Sequence, residues 1–141
     1  MDVNKLMKAL DNETNENLLN FTTEKIIETN LNILKELHLS KNDTMELLNK
    51  LKNYKYVDEM NELKCGTYLR WIPMNNPNNI HLTKGAIFCE FKITDDGVFI
   101  ICKNFGFGSK HFRIALDTNL IFQKLTDQEL VLLSALDHLS K

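Results

Sequence analysis

Apolar and polar positions along this chain change rhythm near residue 65. Before it, apolar residues recur at helical spacing; after it, they alternate. In residues 22–39, Ile27, Leu31, Leu34 and His38 fall a helical turn apart, with Ile26, Ile33 and Leu37 beside them. Thr22 or Thr23 is the expected N-cap, and Glu24 sits where the helix dipole favours an anion. Ser40, with Asp43 three residues on, starts a second helix. Its apolar side is Met45, Leu47, Leu48 and Leu51, and it runs to about Asn53. So short a link makes the two helices an antiparallel hairpin. Residues 1–10 hold a shorter amphipathic segment with Val3, Leu6 and Leu10 on one side. Residues 11–17 are polar throughout and read as a connector or frayed helix.

Past residue 65 the periodicity is that of strands. Residues 54–57 read as an extended link and 58–64 as a helical turn stopped at Gly66. Strands are expected over 66–72, 86–93, 98–103, 111–117 and 120–124, with Asp96-Gly97 as the clearest hairpin signal. In the second strand Ile87, Cys89, Phe91 and Ile93 share one face. The expected core adds Leu69, Trp71, Ile100, Phe112, Ile114, Leu116, Leu133 and Leu136. Thr126-Asp-Gln-Glu129 is a full capping box that opens a closing helix with Leu132, Leu133, Leu136 and Leu139 on one side. The fold class is therefore α+β: an N-terminal helical hairpin, a small five-stranded antiparallel β-barrel-like sheet, and a C-terminal capping helix. The expected division is 1–53 for the helical region and 54–141 for the barrel-like domain with its helix.

Composition sharpens this division. All five glycines, both prolines and all three cysteines lie within residues 65–108. The chain has 141 residues and a hydrophobic fraction of 43%, which suits a small folded protein. Residues 1–64 carry nine lysines against twelve carboxylates, whereas 65–141 carry eight cations against seven. The strand region is thus mildly basic. Three cysteines give no disulfide framework, and Cys89 and Cys102 lie in apolar runs, as buried thiols of a reducing intracellular compartment do. The histidines are scattered and there is no CxxC pair, so neither a metal nor another cofactor is expected. No segment is apolar over the length a membrane span needs.

Catalytic patterns are missing at sequence level. Cys65 has no histidine near it, and Asp95 and Asp96 belong to a hairpin turn. No phosphate-binding glycine loop is present. The chain is expected not to be an enzyme. Residues 103–113 interleave the rings Phe105, Phe107 and Phe112 with the cations Lys103, Lys110 and Arg113. Stacking rings beside phosphate-pairing cations is a recipe for single-stranded nucleic acid, and Arg70 adds a further cation from the first strand. Lys103-Asn-Phe-Gly-Phe resembles the ribonucleoprotein octamer, with Asn104, Gly108 and Lys110 departing from it. The competing reading makes Phe105 and Phe107 a plug for the barrel. The leading function is a non-catalytic module that binds single-stranded nucleic acid through Arg70, Lys103, Phe105, Phe107, Lys110 and Arg113. The alternative is a protein-interaction or virion-associated adaptor using the N-terminal helices. Those helices present a wide apolar stripe, so a homo-oligomer built on residues 22–53 is expected as well.

Four motifs, Gly66-Thr-Tyr-Leu-Arg-Trp-Ile, Leu82-Thr-Lys-Gly-Ala-Ile, Cys102-Lys-Asn-Phe and Ile121-Phe-Gln-Lys-Leu-Thr-Asp-Gln-Glu, together resemble a small uncharacterised family of giant DNA viruses of protists and their virophages. The resemblance covers about residues 55–141 and implies no activity. It implies a setting, the host cytoplasm or the virion. The seventeen asparagines and the scarcity of arginine agree with an AT-rich coding sequence.

Overall fold

The computed structural model describes residues 2–104 and 110–140. The chain divides into two compact units, residues 1–55 with 125–141, and residues 56–124. The first is helical and the second holds the sheet.

In the helical unit, α1 (Val3–Asp11), α2 (Thr23–Lys35), α3 (Lys41–Lys50) and α4 (Asp127–Leu139) are each capped by a side chain. Asp2, Thr22, Ser40 and Thr126 accept from first-turn amides, and Thr126 with Glu129 completes the reciprocal capping box. The core is Ala9, Leu18, Ile26, Leu125, Leu132 and Leu133. The buried side of α1 is therefore Leu6 and Ala9, while Val3 is 66% exposed and Leu10 also faces solvent. The polar run after α1 is not frayed. It forms a 3₁₀ turn, Glu13–Leu18, pinned by buried Asn15, whose side-chain amide donates to the Ala9 carbonyl at 2.9 Å. Within α2 the buried positions are Ile26, Asn30 and Leu34, one strip of the broader stripe read from the sequence.

The sheet has six strands rather than five: β1 (Tyr54–Tyr56), β2 (Tyr68–Pro73), β3 (Ala86–Thr94), β4 (Gly97–Lys103), β5 (His111–Ala115) and β6 (Asn119–Lys124). The spatial order is β1-β6-β2-β3-β4-β5, and the described ladders are antiparallel. The added strand, Tyr-Lys-Tyr, is too short to show an alternation and reads in sequence as a link. The barrel expectation also needs correcting. β5 and β6 share no ladder among the described residues, so the sheet stays open. It is nevertheless curled. β5 and β6 lie four strand spacings apart, ~19 Å on a flat sheet. Residues 116–118 alone join them, a reach of at most ~14 Å, so the sheet must bend to let the chain cross. α4 groups with the helical unit, where it shares the core of α1 and α2.

One face of the sheet carries the second core: Leu69, Trp71, Ala86, Phe88, Ile100, Cys102, Ile114 and Ile121, with Val57 and Leu63, and with Phe91, Phe112 and Leu116 packed against it. The parity expected for β3 fails in its first half. Phe88 pairs with Cys102, but the next β4 residue, Ile101, pairs with Glu90. Cys89 is therefore the extra residue of a β-bulge, and the bulge flips the phase. Ala86 and Phe88 point inward, Ile87 points outward, and Phe91 is again inward, its ring 5.0 Å from that of Phe88. Ile93, at the hairpin end, is 69% exposed. Buried Gln123 fastens the segment before β2. Its Oε1 accepts from the Lys64 amide at 2.7 Å, and its Nε2 donates to the Glu62 carbonyl at 3.0 Å. Among the described residues no helix is long and apolar enough to cross a membrane.

Candidate nucleic-acid interface

Cross-strand partners share a face, so the ladders map the side of the sheet opposite its core. Leu69, Ala86, Phe88, Cys102 and Phe112 point inward, and their strand neighbours therefore point out. Three rows result. Tyr68 opposes Ile87, which opposes Lys103, which opposes His111. Glu90 opposes Ile101, which opposes Arg113. Lys92 opposes Phe99, which opposes Ala115. Lys92, His111 and Arg113 are exposed, and Phe99, Ile101 and Lys103 are half-buried. The rows thus hold three permanent cations and one histidine against a single carboxylate, Glu90, with apolar side chains between them.

The expected site residues are placed unevenly. Lys103 and Arg113 lie on this face, one register step apart on β4 and β5. The Arg113 guanidinium sits 4.6 Å from the centroid of the Phe99 ring, a cation–π contact between diagonal neighbours. Arg70 points to the same side from β2, but its Nε donates to the Thr83 carbonyl at 2.9 Å. It works there as a clamp, together with Tyr68, whose hydroxyl donates to the Lys84 carbonyl at 2.8 Å. Lys110 is exposed just ahead of β5. Phe105 and Phe107 lie outside the described residues.

Gly85 makes this clamp possible. Its φ is +94°, and a Cβ there would lie 2.2 Å from the Leu69 carbonyl, 2.8 Å from the Tyr68 ring and 3.0 Å from Arg70 Cγ. Only glycine lets residues 83–86 lie this close to β2.

Sequence reasoning missed Phe99 and His111 as members of this surface. Residues 98–103 read as a uniformly apolar strand, which hides its two faces. The alternation of β5 carried part of the signal: Phe112 and Ile114 inward require Arg113 outward, but only the ladder makes Phe99 its diagonal partner.

The three thiols differ in burial. The exposed Cys65 thiol donates to the Cys89 carbonyl at 3.2 Å. Cys102 is buried, and that burial, with the charge of nearby Cys89 adding to it, pushes its thiol up to about 12. A thiol held neutral in this way is a poor nucleophile. Among the described residues no group of three or more histidines, cysteines or carboxylates could hold a metal ion. Protein-family models, curated proteins and solved structures give no match to the chain.

Proposed function

We propose that this chain is a non-catalytic module that binds single-stranded nucleic acid across the outer face of β3, β4 and β5. The reading rests on one observation: Lys103, His111 and Arg113 share an exposed sheet face with Phe99 and Ile101. Cations spaced along a strand pair meet successive phosphates, and flat apolar side chains between them take the bases. Arg70 and Lys110 add charge at the margin, and Phe105 and Phe107 belong to the segment joining β4 to β5. The motif resemblance to proteins of giant viruses and virophages supports an infected cell or a particle as the setting.

Titration of labelled single-stranded RNA and DNA at two salt concentrations tests this. Affinity should fall steeply with salt, because each neutralised phosphate releases counterions. Arg113→Glu should weaken binding by about tenfold or more, since it removes a cation and repels phosphate. No binding at low salt, or full affinity in Arg113→Glu, sinks the reading.

A second reading, self-association through residues 22–53, draws on Ile27 and Met45, which are 48% and 44% exposed on the helical hairpin. Ile26 of the same stripe has partners within the chain, since it packs in one core with Leu132 and Leu133. Light scattering of the full chain at micromolar concentration separates a dimer from a monomer.

A further inference from the structure

Within the helical unit, a cavity of about 280 Å³ opens between α2, α3 and α4. Ile26 and Ile27 of α2, Leu48 and Leu51 at the end of α3, and Leu133 of α4 form its apolar walls. Two of its polar residues are committed elsewhere. Thr23 bonds to the Asp137 carboxylate, and the Asn30 amide donates to the Tyr54 carbonyl. The remaining polar lining, Asn49, Lys52, Asn53 and Tyr54, comes from the last turn of α3 and the residues just after it. No aspartate or glutamate lines the cavity. Among the described residues the Lys52 ammonium has no ion-pair partner. The amides of Lys52 and Tyr54 turn back on the Asn49 and Leu51 carbonyls, so the helix end shows fewer bare acceptors to an anion.

A mainly apolar chamber with one cation and no acid in its lining matches a molecule that is apolar along its length and anionic at its tip. We propose that this cavity binds an unbranched medium-chain fatty acid, its tail among the isoleucines and leucines and its carboxylate at Lys52. The volume lies near the lower end of the ~300–1,000 Å³ of small-molecule sites. Taking a methylene as about the ~30 Å³ of a water molecule, it holds a chain of roughly eight to ten carbons. Each buried methylene adds to affinity, while the head group sets orientation. This site is independent of the sheet surface.

Calorimetric titration of the full chain with sodium decanoate tests the proposal, with decanol and decylamine as neutral and cationic counterparts. Saturable one-to-one binding of decanoate is expected, with decylamine weaker by about tenfold or more. Lys52 is exposed and Ile27 half-exposed, so both can be replaced with the helical circular dichroism retained. Lys52→Glu should weaken decanoate by about tenfold and leave decanol unchanged. Ile27→Trp, which fills the opening, should abolish binding of both. Failure of decanoate to saturate below its micellar concentration overturns the proposal. Equal binding of decylamine overturns it too, as does unaltered decanoate binding in either folded variant.

Discussion

Single positions decide more here than their size suggests. Gly85 has no side chain, yet the approach of residues 83–86 to β2 depends on it. Alanine there meets a backbone oxygen, which cannot swing away as a flexible side chain can, and must hold a positive φ. Gly85→Ala should cost about 3 kcal/mol or more, from left-handed strain plus overpacking. Urea denaturation measures it, and a loss under about 1 kcal/mol would show that the β2–β3 contact yields easily. Cys102 gives a pH signature. Its folded thiol ionises near 12 rather than near 9.0, because burial opposes the thiolate. As pH rises past 9.0 the unfolded chain releases this proton first and the folded chain keeps it. The unfolded state then binds fewer protons, so stability is intact below that pH and falls as pH climbs toward 12. The slope from this group is at most about 1.4 kcal/mol per pH unit. Comparing wild type with Cys102→Ala by urea denaturation at neutral and at alkaline pH isolates it. Equal alkaline losses in the two proteins would assign the effect to other groups.

At the scale of elements, the sequence is legible wherever a period runs uninterrupted. α3, α4 and β5 begin where capping residues and alternation put them, because those signals are local, and α2 does too but ends at Lys35, short of the expected residue 39. β3 breaks the rule at one residue. A bulge inserts Cys89, and nothing in Ala-Ile-Phe-Cys-Glu-Phe marks where the extra residue goes, since every position before Glu90 is apolar. The register with β4 decides it, and register is a long-range property. The same limit hid β1, whose three residues become a strand only because β6 lies beside them. It also hid half of the candidate interface. Arg113 and Lys103 could be chosen from composition, but Phe99 becomes their neighbour only through the β4–β5 ladder. The bulge is testable by paired truncation. Phe88→Ala empties a core position and should cost about 3–5 kcal/mol. Ile87→Ala, on the opposite face and only half-buried, should cost about 1 kcal/mol. Reversed magnitudes in equilibrium unfolding would restore the uninterrupted alternation of the sequence reading.

At the scale of the whole molecule, chain order and spatial grouping part company. The composition break near residue 65 separates most of the helices from most of the strands, but it leaves β1 on the helical side and α4 attached to the strands that precede it. Apolar periodicity tells that α4 must bury Leu132 and Leu133, not against what. The answer is distant in sequence: Ala9 of α1, Leu18 of the 3₁₀ turn and Ile26 of α2 complete their core, and Asp137 of α4 accepts from both the amide and the hydroxyl of Thr23. Both ends of the chain therefore contribute to one core, which should open as one cooperative unit. Leu132 is 1% exposed, so Leu132→Ala should cost about 2–5 kcal/mol through lost contacts and a residual cavity. The loss should surface far from the mutation. Amides of α1 and α2 should exchange faster with solvent deuterium, by a factor matching the drop in the unit's opening free energy, alongside those of α4. The same logic applies to a fragment of residues 54–141. It keeps α4 but removes the helices that cover Leu132 and Leu133, so α4 should be cut first in limited proteolysis. Were Leu132→Ala to accelerate exchange in α4 alone, with α1 and α2 unchanged, the two ends of the chain would be opening separately and the shared core would not bind them into one unit.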